Sequence, residues 1–91
     1  MRLLNIGRDE FEMETKEFVI LWSYTRPIAY YDRSVNQHFQ TDEHLSPSSE
    51  KHLAKWLRAR DAVGKTKKLS QYVLEKNLDP YSSAEEVKAE S

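Results

Sequence analysis

Phe18-Val19-Ile20-Leu21-Trp22-Ser23-Tyr24, followed after Thr25-Arg26-Pro27 by Ile28-Ala29-Tyr30-Tyr31, is the stretch that decides the fold. It opens with the longest apolar run of the chain, rich in β-branched and aromatic residues, and so predicts a strand covered on both faces. Arg26-Pro27 breaks that run, because proline has no N–H to donate and pushes its predecessor towards extended or turn geometry. A strand covered on both faces is the central strand of a small sheet.

Upstream, residues 9–15 alternate, with Phe11, Met13 and Thr15 on one side and Glu10, Glu12 and Glu14 on the other, which predicts a half-exposed strand. Lys16-Glu17 then makes the tight connection of a hairpin. Leu3, Leu4 and Ile6 before Gly7 suit a short first strand or an ordered arm. Downstream, Ile28 to Tyr31 predicts a third strand, Asp32 to Asn36 supplies turn residues, and Gln37 to Thr41 around Phe39 predicts a fourth.

Ser46-Pro47 marks the change to helix, since a serine N-cap accepts an orphan backbone N–H and proline at the first helical position has none to lose. Leu53, Trp56 and Leu57 fall on one helical face, and Lys51, Lys55 and Arg58 on the opposite one. Arg60 projects among the apolar positions, so its guanidinium must snorkel past the sheet edge or find a partner there. Gly64 is read as the C-cap of this helix. A second helix is predicted from Lys67 to Lys76, with Leu69, Tyr72, Val73 and Lys76 at helical spacing and Asn77 as its stop. The expectation is an α+β fold, an antiparallel β-meander of three to four strands followed by one long helix and a second shorter one. One domain spans residues 1–78, and residues 79–91 form a polar, flexible tail in which Ser82 and Glu85 can cap a short turn.

Composition narrows the function. The chain has 91 residues, 38% hydrophobic and 32% charged, and no cysteine, so disulfides and thiolate chemistry are absent. No apolar run approaches the ~20 residues of a membrane helix, and the N-terminus lacks a signal-peptide core, so a cytoplasmic protein without membrane contact is expected. The net charge of −1 conceals a basic segment between Lys51 and Lys68, where seven basic residues face one acid; that segment is +6 and the remainder −7.

Ser23-Tyr24-Thr25-Arg26-Pro27-Ile28-Ala29-Tyr30, then Phe39-Gln40-Thr41, then Ser46-Pro47-Ser48-Ser49-Glu50-Lys51-His52-Leu53-Ala54-Lys55-Trp56-Leu57 together carry a resemblance. The chain resembles a group of small proteins of unknown function from phages, plasmids and other mobile elements. These share a Ser-Tyr-x-x-Pro-(Val/Ile)-Ala-Tyr strand and turn, a short aromatic strand, and a hydroxyl-rich helix start leading to His-(Ile/Leu)-x-x-Trp-Leu. The chain departs from that pattern at Asp32-Arg33-Ser34, where the group often has glycine, and at Pro47. The resemblance implies a meander followed by a helix and implies no activity; it favours a small protein that binds a host macromolecule to inhibit or redirect it.

Chemical motifs are sparse. Gly64-Lys65-Thr66 resembles the end of a phosphate loop, but Ala59 stands where the first glycine is required and the segment before it reads as helix. His38, His44 and His52 with Asp32, Asp42 and Glu43 match no metal-ligand spacing, and His52 is read as a hydrogen-bonding residue between helix and sheet. No serine has a motif-level catalytic partner. The expectation is therefore a non-enzymatic interaction module with no cofactor and no metal. Its candidate contact residues are Lys51, Lys55, Arg58, Lys65, Lys67 and Lys68, which suit a host protein or, in the alternative, nucleic-acid phosphates. Tyr24, Tyr30 and Tyr31 form a candidate aromatic surface for a partner or a homodimer, unless the second helix completes a two-sided core over the aromatic residues.

Overall fold

A computed structural model of the chain describes residues 2–7 and 9–79. Among these, the elements run β1 (Arg2–Gly7), β2 (Glu10–Glu14), β3 (Phe18–Ser23), β4 (Arg26–Asp32), β5 (Gln37–Thr41), α1 (Pro47–Ala59), β6 (Thr66–Leu69) and α2 (Gln71–Asn77). The strands lie side by side in sequence order; β1 to β5 are antiparallel and β6 runs parallel to β5. The fold is α+β, a meander followed by helices, as expected. The meander has five strands, one more than expected, and the sixth is new. A parallel neighbour requires a crossover, and α1 provides it.

The two helices cover opposite faces. Val19, Leu21, Ile28 and Ala29 pack under Leu53, Trp56, Leu57 and Ala62 on the α1 side. Met13, Ile20, Trp22 and Tyr30 pack under Leu74 and Leu78 on the α2 side, with Phe11, Phe18, Phe39 and Leu69 around them. The continuous apolar run of β3 follows from this, since both sets of its alternating side chains meet a helix. The excess of aromatic residues is thereby absorbed into a two-sided core.

Several local expectations need correction. Pro27 does more than break the run: it is fully buried inside β4 opposite Trp22, and a register shift at Leu21/Trp22 takes up the extra residue Ile28. The reversal lies at Tyr24-Thr25, with Tyr24 at φ +58°. β2 is not half-exposed, because α1 covers its glutamate side and leaves Glu10 only 3% exposed.

Gly64 is not the cap of α1. That helix ends at Arg60, with Asp61 left-handed at φ +55°; Asp61 N–H donates to Arg58 and Ala62 N–H to Leu57. This pair of bonds is a Schellman ending built on an aspartate. Gly64, at φ +76°, instead turns the chain into β6. Residues 66–69 are therefore strand, and α2 starts after the N-cap Ser70, whose hydroxyl accepts from Val73 N–H. The inward stripe of α2 is Gln71, Leu74 and Leu78, leaving Tyr72 and Val73 outside. No helix among the described residues is long and apolar enough to cross a membrane. The tail expected at 79–91, including Ser82 and Glu85, lies outside the described residues apart from Asp79.

Candidate functional site

The helix start at Ser46-Pro47 is formed as the sequence predicts. Ser46 Oγ accepts from Ser49 N–H at 3.2 Å, and Pro47 occupies the first helical turn. This cap sets the phase of α1, so that Ser49, His52 and Trp56 point at the sheet. Ser23, the last residue of β3, meets them: its Oγ lies 2.9 Å from Ser49 Oγ and 2.8 Å from His52 Nδ1. The two sequence stretches that carry the resemblance thus close on each other through three polar side chains. His52 stands between helix and sheet as read, with the exposed Tyr24 ring 5.9 Å away.

A serine hydroxyl on a histidine nitrogen invites a catalytic reading, but Ser23 is 3% and Ser49 8% exposed. A nucleophile must reach its substrate, so this arrangement is a clasp between β3 and α1. Beside it, Lys55 reaches back over the helix to Glu10 Oε1 at 2.7 Å. One turn on, Trp56 Nε1 donates to Glu12 Oε1 at 2.9 Å. Glu10 and Glu12 thus tie the covered face of β2 to α1, and only the α1 face explains why acids stand there.

Arg60 finds the partner its position demands. Its guanidinium lies over the Tyr31 ring at 5.0 Å and the Trp56 ring at 5.2 Å, and its Nε donates to His38 Nε2 at 2.9 Å. Accepting that bond requires a neutral imidazole, and burial first, then the Arg60 charge, hold His38 below its ordinary pKa. The cluster pins the end of α1 to β4 and β5.

The six candidate cations are divided by the fold. Lys51, Lys55 and Arg58 share the outward side of α1, as expected, with Lys55 tied to Glu10. Lys65 lies 3.9 Å from Asp61 in the turn after α1. Lys68 is level with Gln40 and shares its α1-side face, whereas Lys67, level with Phe39, faces the α2 side. Lys51, Arg58, Lys67 and Lys68 form no ion pair among the described residues. Between α1, β5 and the turn that follows α1 runs a groove lined by Gln40, Glu50, Leu53, Ala54, Leu57, Arg58, Val63 and Gly64, with Val63 62% exposed. Sequence reading missed this groove; the signal present was an apolar Val63 beside Gly64 in a basic segment.

The three tyrosines do not share a surface. Tyr24 is exposed, whereas Tyr30 is 2% exposed, stacked on Phe39 and hydrogen-bonded by Asn77. Tyr31 is half-buried under Arg60 and donates to Asn36 Oδ1. Packing of α2 is what removes Tyr30 from the expected surface. Among the described residues no group of three His, Asp or Glu side chains can hold a metal ion.

No curated protein and no solved structure matches the chain. The model of the Family of unknown function (DUF8033) matches residues 1–75, which take in the whole sheet, α1 and most of α2, and the chain belongs to that family.

Proposed function

We propose that the protein is a non-enzymatic interaction module that docks a partner protein on the α1 side, using Lys51, Arg58 and Lys68 around the groove. The observation that carries this reading is the groove itself: an apolar lining of Leu53, Leu57 and the exposed Val63, with Arg58 and Glu50 beside it, while Lys51, Arg58 and Lys68 on the same side form no ion pair among the described residues. Apolar anchoring with a charged rim is the anatomy of a protein interface. Tracking a phosphate backbone needs a run of cations released from other duties, and Lys55, in the middle of the α1 stripe, already faces the buried Glu10. The burial of Ser23 argues against a nucleophilic role for the Ser23–His52 pair. The resemblance to small proteins of phages and plasmids supports a host protein as the partner, to be inhibited or redirected.

Affinity capture from host lysate, with and without nuclease, tests the proposal when the bait is compared with a Lys51→Glu/Arg58→Glu variant. A nuclease-resistant catch lost by the variant is expected. A catch that nuclease removes would transfer the same face to nucleic acid, and a catch indifferent to both charges would place the contact elsewhere.

A further inference from the structure

We infer that the open edge of β6 receives an acidic, extended segment of the partner, which adds to the sheet as a seventh strand and sets alternate side chains beside the groove. This rests on the docking reading above and names the chemistry of the occupant.

The backbone fixes which groups are available. Leu69 C=O accepts from Asp42 N–H at 2.8 Å and therefore points towards the β5 side. Along a strand the N–H and C=O of one residue point the same way and those of the next point oppositely, so Lys67 also faces β5. The N–H and C=O groups of Thr66 and Lys68 then point away from the sheet, where β6 has no neighbour among the described residues. The opposite edge, β1, is interrupted by a register shift between Asn5 and Gly7, a device that turns an edge away from pairing. β6 is paired to β5 without such a shift.

Lysines on an edge strand deter neutral or basic strands, and the same two charges favour an acidic one. Lys68 stands on the α1 side with Thr66, whose hydroxyl donates to Gln40 on the groove wall. Lys67 stands on the other side. An added strand would thus meet a cation on each face, with Arg58 further along the α1 side. Its side chains directed to that side would lie towards the groove, whose exposed apolar residue is Val63. Main-chain bonds supply affinity in such strand addition, and the pockets for alternate side chains supply selectivity.

The probe is a capped hexapeptide of alternating glutamate and valine, titrated into the isotope-labelled protein while amide exchange is followed by NMR. Exchange of the Thr66 and Lys68 amides should slow, with Lys67 and Leu69 unchanged. An analogue with alternate amides N-methylated should bind about tenfold more weakly or worse, the loss expected when one or two main-chain bonds cannot form. Lys68→Pro should lose binding at an unchanged melting temperature, since an edge strand tolerates proline where the N–H faces solvent. Binding indifferent to N-methylation and to Lys68→Pro, yet lost in Arg58→Glu, would overturn strand addition and leave docking on α1 standing. No binding at millimolar peptide would overturn the inference, the docking reading then being decided by the capture experiment. Protection of Thr66 and Lys68 in the free protein that rises with its concentration would assign the edge to a second copy and overturn it as well.

Discussion

Ser23→Ala removes the hydroxyl on which the clasp between β3 and α1 depends. Ser23 Oγ has two partners, Ser49 Oγ at 2.9 Å and His52 Nδ1 at 2.8 Å. Each hydrogen bond contributes about 1 kcal/mol net, and a buried hydroxyl left without a partner costs about 1 kcal/mol more. Ser49, 8% exposed, cannot turn to water, whereas the partly exposed His52 can recover some of its loss. Ser23→Ala should therefore cost about 2–3 kcal/mol. Ser49→Ala leaves the Ser23–His52 contact intact and gains slightly in helix propensity, so it should cost about 0.5–1 kcal/mol. The double variant should be no less stable than Ser23→Ala alone, because the orphaned Ser49 hydroxyl is removed with it. Urea unfolding followed by circular dichroism measures all three. For a domain of this size the larger loss corresponds to a fall in melting temperature of about 10–20 °C. A Ser23→Ala loss within about 0.5 kcal/mol of zero, or additive losses in the double variant, would refute the clasp.

Three further outcomes follow from the same packing. His38 is held below its ordinary pKa, so the unfolded chain takes up its proton first; its stabilising contribution is complete above about pH 6.5 and is lost as pH falls below that value. Wild type should lose stability relative to His38→Gln as pH falls below about 6.5, and unfolding curves that stay parallel there would contradict the Arg60–His38 bond. Leu74→Ala, at a fully buried position, should cost about 2–5 kcal/mol, whereas Tyr72→Ala should stay within about 0.5 kcal/mol; the reverse order would mean that α2 is rotated. Asp61→Gly should stabilise by about 0.5–1 kcal/mol, since glycine takes the left-handed cap position without a Cβ penalty and the ion pair it gives up is fully exposed. A loss of stability there would show that the Lys65 contact or the aspartate side chain matters more than the backbone.

Much of the fold was legible because periodicity and cap chemistry are local. Val19 to Trp22 announced a strand covered on both sides, and Ser46-Pro47 fixed where α1 begins. Thr66 to Leu69 was not legible as a strand. It is four residues long, two of them are lysines, and only Leu69 enters the core, so its pairing with β5 is decided by the crossover and not by its own pattern. With those residues in a strand the phase of α2 is set after Ser70, so Leu74 and Leu78 enter the core and the helical spacing of Leu69, Tyr72, Val73 and Lys76 does not mark its buried face. The Arg60 partner was anticipated from an arginine at an apolar position. Of the Ser23–Ser49–His52 clasp, only His52 was legible, as a hydrogen-bonding residue between helix and sheet; its partners were not, because contacts 26 and 29 residues apart leave no local trace. The basic stripe on α1 was visible from spacing, but its division by Glu10, Asp61 and the faces of β6 required the folded chain.

The docking face is tested most directly by placing a photo-crosslinking amino acid at Val63 in one protein and at Tyr72 in another, then irradiating each in cells that produce it, with nuclease treatment of the lysate. Val63 borders the groove on the α1 side, and Tyr72, 73% exposed, lies on α2 across the sheet. The account predicts a discrete protein adduct from position 63 and none from position 72; an adduct from position 72 alone would contradict it.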